Sequence, residues 1–92
     1  MALLAEDEVD AAVRGTPWRR EGSTLVRDLQ VADFPAAIAF VDRVAQAAEE
    51  AGHHPDILVH GWNRVRLTLS THSEGGITQA DLDLARVLDA RS

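Results

Sequence analysis

The sequence contains no cysteine and no lysine. Without cysteine the chain can form neither disulfides nor thiolate zinc sites, so disulfide scaffolds and thiol chemistry are excluded. All nine cationic side chains are arginines, a compositional bias that carries no functional signal. No apolar run approaches the ~20 residues that a membrane-spanning helix needs, and the opening stretch MALLAEDEVDAAV is acidic where a secretory signal would be basic. The sequence therefore predicts a cytoplasmic protein that does not associate with a membrane.

Positive charge is also scarce, because 15 aspartates and glutamates outnumber the nine arginines and give a net charge of −6 with neutral histidine. Generic binding to nucleic acid or to anionic lipid depends on a cationic surface, so this charge argues against both kinds of partner. The 92 residues, 46% of them hydrophobic, are typical of a globular protein with a single core. We expect one domain over residues 1–92.

Hydrophobic periodicity and turn residues predict seven elements in the order α-β-β-α-β-β-α. They are a helix over Leu3–Arg14, a hairpin of Trp18–Arg20 and Thr24–Val31, a long helix between Asp33 and Gly52, a hairpin of Ile57–His60 and Val65–Ser70, and a last helix opened by the capping box Thr78–Asp81. Two hairpins separated by a long helix predict an α+β fold, with a four-stranded antiparallel sheet and three helices packed on one of its faces.

The same periodicity assigns faces to two of these elements. On the long helix the apolar spacing predicts a buried stripe, with Phe40 also in the core: Phe34, Ile38, Val41, Ala45 and Ala48. On the last strand, counting by twos from Arg66 through Thr68 and Ser70 places His72 on the polar face of that strand.

All four histidines fall within a short segment, at His53, His54, His60 and His72. The adjacent pair could be a polar connection between a helix and a strand, with Pro55 holding the backbone extended. Imidazole is also a common zinc ligand, but the chain has no helical His-x-x-x-His pair and no cysteine. A third interpretation is general acid-base catalysis without metal, because the pKa of imidazole near 6.5 suits proton transfer in both directions.

Neighbouring residues allow two interpretations each. Glu49, four residues before His53, could orient an imidazole or could be a solvated acid at a helix end. Asp81 could support the same site or could only complete a capping box. Trp18 and Trp62 could lie in the core or could stack on a ligand ring.

Taken together, these residues resemble the pterin-4a-carbinolamine dehydratase family. The family pattern is an acid, three residues, His-His-Pro, a spacer of five or six residues, an aromatic residue with Asn, then Thr-His, then Gly-Gly-(aliphatic)-Thr and an Asp. This chain carries Glu49, GHHP, the spacer DILVHG, WNRV, LTLSTH and EGGITQAD. The similarity also includes Trp18 and the run VADFPAAIAFVDRVAQAAEEAGHHP, and it extends over about 17–88.

The resemblance implies a lyase that dehydrates 4a-hydroxytetrahydropterin to the quinonoid dihydropterin, with no metal and no cofactor. By the same resemblance, His53 and His72 are expected to be the acid-base pair, and Glu49 and Asp81 to orient or charge-balance the imidazoles. The pterin is expected to contact His54, Pro55, Trp18 and Trp62. His60 falls in the variable spacer and receives no role. The family is oligomeric, so a homodimer or homotetramer is expected, and a binding or assembly module that keeps the fold without catalysis is the alternative.

Overall fold

The computed structural model describes residues 2–92. Its elements, in chain order, are α1 (Glu6–Val13), β1 (Arg19–Glu21), β2 (Thr24–Gln30), α2 (Phe34–Ala51), β3 (Asp56–His60), β4 (Arg64–Leu69), a 3₁₀ turn (His72–Glu74) and α3 (Gln79–Ala90). The predicted order of elements is confirmed, with boundaries displaced by a few residues. α1 begins at Glu6 and not at Leu3, because the backbone amide of Leu4 instead donates to the carbonyl of Ile77 at 2.9 Å.

The four strands form one antiparallel sheet in the order β1-β2-β4-β3. In the central ladder Leu25 pairs with Leu69, and at the β3 edge Ile57 pairs with Leu67. The alternate side chains Leu25, Leu67 and Leu69 are fully buried and belong to the same apolar cluster as residues of all three helices. The predicted α+β architecture, with the helices packed on one face of the sheet, is therefore confirmed.

The helix α2 is bounded by the residues that the sequence indicates. The Asp33 carboxylate accepts a hydrogen bond from the amide of Ala36 at 2.8 Å and caps the N-terminus. At the other end Gly52 has φ 63°, a left-handed conformation that only glycine adopts readily, and its amide donates back to the last turn. This left-handed residue ends the helix and directs the chain from α2 toward β3.

Of the predicted stripe on α2, Ala48 is buried and Val41 is partly buried against the core, but the rest of the buried face differs. The buried side chains are Ala37, Phe40, Val44, Ala47 and Ala48. The prediction that Phe34 lies in the core is wrong, since Phe34 is 51% exposed and Ile38 is 39% exposed, whereas Phe40 is buried as predicted. α2 is apolar on two adjacent faces, and a period of 3.6 residues does not reveal which of the two contacts the sheet.

The strand β4 ends at Leu69, so the prediction that His72 lies on the polar face of this strand is wrong. After the strand, Thr71 forms an isolated bridge with Gly76, and its amide donates to the Gly76 carbonyl at 2.7 Å. The chain between these two residues turns back on itself, and His72 begins the 3₁₀ turn there. Within residues 2–92 no helix is both long enough and apolar enough to cross a bilayer.

Candidate active site

Three of the four histidines meet in one cleft at the end of the β3–β4 ladder. Residues 52–56, which connect α2 to β3, form one wall, and residues 70–73, which follow β4, form the other. The cleft has a volume of about 420 Å³, and His53, His54 and His72 all line it. His60 lies at the opposite end of β3 and lines a separate groove on the open face of the sheet. The two segments meet because β3 and β4 are adjacent antiparallel strands.

His53 is fixed from two sides. Its backbone amide donates to the carbonyl of Ala48 at 3.1 Å, and its Nε2 lies 2.5 Å from Oδ1 of Asp81 in the first turn of α3. An ionised carboxylate only accepts hydrogen bonds, so we assign the Nε2 proton to the bond with Asp81. In a neutral ring this leaves Nδ1 of His53 as the nitrogen with a free lone pair.

The carboxylate of Asp81 is completely buried and accepts three hydrogen bonds. Besides His53, its donors are the hydroxyl of Thr71 and the backbone amide of Thr78, both at 2.9 Å from Oδ2. The Thr71 hydroxyl donates its one proton to Asp81. The hydroxyl of Thr78, 2.8 Å away, therefore donates to the Thr71 oxygen. Both interpretations of Asp81 therefore apply, because one carboxylate caps α3 and also holds His53.

The sequence patterns did not predict that Thr71 takes part in this network. It precedes His72 in the matched stretch STH, but nothing local shows that its side chain reaches a residue ten positions later. Thr78 was expected as a helix cap only. Both threonines are contacts of Asp81 that become visible once β4 and α3 are adjacent.

His54 and His72 are more accessible than His53. Nε2 of His54 forms a short hydrogen bond with the carboxylate of Glu49, and the two side chains are 65% and 77% exposed. Glu49 thus orients an imidazole, but it is that of His54. His72 is exposed, and its imidazole makes no hydrogen bond to any of residues 2–92. The cleft therefore contains one half-buried imidazole with a buried carboxylate partner and two imidazoles that face solvent.

Neither tryptophan lines this cleft. Trp18 is 4% exposed, and its indole Nε1 donates to Asp89 at 2.8 Å, so Trp18 belongs to the core. Trp62 is 62% exposed in the turn between β3 and β4. That turn is at the far end of the hairpin, about 20 Å from the cleft at 3.4 Å per residue. Pro55, by contrast, lies in the cleft wall as expected.

The part of the chain that the structure describes contains no set of side chains that could bind a metal ion. Among residues 2–92 there is no group of three or more histidine, cysteine, aspartate or glutamate side chains arranged to hold a metal ion. In the adjacent pair, His53 turns inward to Asp81 and His54 turns outward to Glu49. The two imidazoles therefore do not converge on a common point.

The open face of the sheet carries a separate charged network. Asp28 accepts hydrogen bonds from Arg66 at 2.7 Å and from Arg19 at 2.9 Å. These guanidinium groups, Arg66 first, lower the pKa of Asp28 from 3.8 to about 2. The network joins three strands on the side of the sheet that the helices leave uncovered.

Comparison with known proteins gives one consistent family. The model of the family described as pterin 4 alpha carbinolamine dehydratase matches residues 2–91. A protein of Nocardia farcinica, provisionally named pterin-4-alpha-carbinolamine dehydratase, is 53% identical over 88 residues, which are 95% of this chain and 92% of the relative. A protein of Chloroflexus aurantiacus with the same provisional name is 49% identical over 97% of this chain and 96% of its own length.

Two solved structures share the fold. One is described as a transcriptional coactivator/pterin dehydratase from Brucella melitensis, with a TM-score of 0.86, 36% identity and 95% of each chain covered. The other is a pterin dehydratase-like protein identified as a RuBisCO assembly factor in the alpha-carboxysome, with a TM-score of 0.69 and 28% identity over 83% of this chain and 89% of that one. From the extent of the family match and the identity of its relatives, the chain belongs to the pterin 4 alpha carbinolamine dehydratase family.

Proposed function

We propose that this chain is a hydro-lyase that removes water from 4a-hydroxytetrahydropterin and releases the quinonoid dihydropterin, in pterin cofactor recycling. Residues 1–92 form its single domain. The observation that carries the proposal is the cleft in which His53, held by Asp81, and the unpaired His72 occupy facing walls. Membership of the family supports the choice of substrate. The location in the cytoplasm expected from the sequence stays a prediction.

The reaction needs one proton acceptor and one proton donor. As the hydroxyl leaves carbon 4a, the adjacent ring nitrogen gives up its proton, and a double bond forms between the two atoms. The free Nδ1 of His53 is the base, because the carboxylate of Asp81 stabilises the imidazolium that forms when the ring accepts a proton. His72 is the acid that protonates the departing hydroxyl, so that it leaves as water. No net proton is gained or lost, and neither step requires a metal or a cofactor.

Pterin binding is assigned to the remaining residues of the cleft. His54 extends from the wall toward solvent with its ring oriented by Glu49, so it offers a hydrogen bond to a polar ring edge. Pro55 supplies a rigid apolar surface beside it. Trp18 supports the site from the core, where its indole donates a hydrogen bond to Asp89 near the end of α3.

A homodimer or homotetramer is supported by two exposed apolar surfaces. One is the second apolar face of α2, with Phe34 and Ile38. The other is the β3 edge, where Leu58 is 53% exposed and the strand has backbone groups that are free to pair. The net charge of −6 favours a protein partner over nucleic acid.

The function is tested by measuring the dehydration of a 4a-hydroxytetrahydropterin with purified protein. His53→Ala and His72→Ala should each lower kcat by about 10²- to 10⁴-fold with an unchanged circular dichroism spectrum, while the matched control His60→Ala should behave as wild type. If the wild-type protein does not accelerate the reaction above the rate in buffer, the enzyme hypothesis fails.

The alternative function is a non-catalytic oligomeric module in the assembly of another protein. The observation that favours it is the structural similarity to a protein identified as a RuBisCO assembly factor. An affinity pull-down that recovers a stoichiometric protein partner, combined with absent dehydratase activity, would establish this alternative. What favours the enzyme is that each acid-base position of the family pattern is occupied and that two of these side chains, His53 and His72, line one cleft.

A further inference from the structure

The turn that carries His72 has few anchors of its own. No side chain of the 3₁₀ turn His72–Glu74 is buried, and the His72 imidazole makes no hydrogen bond to any of residues 2–92. Two glycines follow, and Gly75 has φ 73°, in the left-handed region. Glycine leaves the backbone more conformational freedom than any other residue. The position of His72 therefore depends on the backbone bonds that close the turn and on the residues that pack against its outer side.

Backbone hydrogen bonds between Thr71 and the two glycines close this turn. The Thr71 amide donates to the Gly76 carbonyl at 2.7 Å, and the Gly75 amide donates to the Thr71 carbonyl at 3.0 Å. The hydroxyl of the same threonine donates to Asp81, which holds the imidazole of the opposite wall. Because His72 lies between the bonded residues, a displacement of Gly76 would also displace His72.

Residues 2–5, which precede α1, lie along the outer side of the turn. The Leu4 amide donates to the Ile77 carbonyl at 2.9 Å. Leu3 packs closely on Gly76, since a Cβ added at Gly76 would lie 3.0 Å from Cδ2 of Leu3. The helix that follows this segment has two side chains in the core. The segment therefore connects a fixed helix to the base of the turn.

The turn separates two cavities. Its inner side forms a wall of the histidine cleft, and its outer side lines a groove of about 380 Å³ together with Leu3 and Leu4. We propose that Leu3 and Leu4 are positioning residues for His72. Their contacts with Gly76 and Ile77 hold the base of the turn from outside and keep the imidazole within reach of a ligand in the cleft. Neither leucine lines the cleft, so both act through the backbone of the turn.

The proposal rests on the proposed function only through the role of His72 as the acid. A small error in the placement of a catalytic group lowers the rate of the chemical step. His54 and Pro55, which we assign to pterin binding, lie on the opposite wall of the cleft. Loss of the Leu3 contact should therefore lower kcat and leave KM unchanged. Whether the segment holds the turn does not depend on the reaction and is measured by amide hydrogen exchange.

Leu3→Ala tests whether the segment holds the turn. The Thr71 amide, which closes the turn, should exchange about tenfold faster in this variant, because the turn opens more often. Leu3→Met keeps an apolar side chain on Gly76 and should preserve the wild-type exchange rate. The control is Val87→Ala, which shortens another partly exposed aliphatic side chain, on α3, and should leave exchange at Thr71 unchanged. An unchanged rate in Leu3→Ala, or equal acceleration by Leu3→Ala and Val87→Ala, would overturn the proposal.

Dehydration kinetics test the consequence for His72. Leu3→Ala should lower kcat about tenfold and keep KM within about twofold of wild type, whereas Leu3→Met should retain the wild-type kcat. The methyl group added by Gly76→Ala presses on Leu3, so this substitution should lower kcat alone. It should have no further effect in the Leu3→Ala background, where the space is free.

Two kinetic results would contradict the positioning role. One is an equal loss of kcat from Gly76→Ala with and without Leu3→Ala, and the other is faster exchange at Thr71 with an unchanged kcat. If the wild-type protein does not accelerate the dehydration, the proposed function fails, and the exchange rate of the Thr71 amide still decides whether the segment holds the turn.

Discussion

The substitution Asp81→Asn should reverse the hydrogen bond that orients His53. Oδ2 of Asp81 accepts from Thr71 and from the amide of Thr78, and Oδ1 accepts from Nε2 of His53. An amide of the same shape keeps its oxygen toward the two donors and turns its NH2 group toward the imidazole. The introduced amide then donates to Nε2, and the neutral ring must carry its proton on Nδ1. The nitrogen that we assign as the base would no longer accept a proton.

The expected changes in kcat and in stability follow from the hydrogen bonds that Asp81→Asn alters and those that it keeps. Losing one acid-base group costs about 10²- to 10⁴-fold in rate, so kcat should fall within this range. Two of the three hydrogen bonds to position 81 remain, and the third changes from a charged to a neutral one, which corresponds to about 1 kcal/mol of stability. For a domain of this size, 1 kcal/mol lowers Tm by roughly 4–8 °C. Activity should therefore fall far more than stability.

The measurements are dehydration kinetics, thermal unfolding and the nitrogen-15 chemical shifts of the histidine rings, which report the tautomer directly. Asp83→Asn is the control, because Asp83 lies in the same helix but is exposed and its carboxylate pairs with Gln79 and Arg86. The control should match wild type in all three measurements. A tautomer that reverses in Asp81→Asn while kcat stays within threefold of wild type would refute the assigned role of His53.

Three further predictions concern the site, the open sheet face and the end of α2. Thr71→Val removes a hydroxyl bonded to Asp81 and should lower kcat about fivefold, equivalent to about 1 kcal/mol, whereas Thr71→Ser should retain the rate; equal rates would deny Thr71 a positioning role. Because the lowered pKa of Asp28 is about 2, its ion pairs stabilise the fold fully above pH 4 and lose this effect as the pH falls through 2. Asp28→Asn should thus cost at most about 1 kcal/mol at pH 7, given the exposure of the group, and the urea midpoints of variant and wild type should converge near pH 2. Gly52→Ala should lower stability by about 1–2 kcal/mol through φ alone, since an added Cβ meets no atom within 4 Å; an unchanged urea midpoint would contradict this.

The sequence predicted the fold because its local signals agree with one another. Asp33 and Gly52 bound α2 as expected, and the alternation of Val65, Leu67 and Leu69 defines the buried face of β4. The face of α2 was not predictable, since the apolar stripe through Phe34 and the one through Phe40 have the same period. Only the packing partner selects between them, and that partner is a sheet formed by residues distant in sequence.

The site was predictable as a set of residues and not as a geometry. The resemblance to the family named His53, His72 and Asp81, but the contact between His53 and Asp81, 28 positions apart, forms only after α2 and α3 have packed. The placement of Trp62 was beyond sequence patterns for a related reason. The hairpin register puts it in the turn at the far end of β3, away from the cleft.

The capping box of α3 couples the integrity of the site to a local unfolding equilibrium. The carboxylate that holds His53 also caps the first turn of this helix through the amide of Thr78. Whenever that turn frays, His53 loses its partner, even though the rest of the core stays folded. Hydrogen exchange at the Thr78 amide therefore measures the fraction of molecules in which the base is released. A substitution elsewhere in the first turn can change the rate of the reaction without touching the cleft, by changing how often the turn opens.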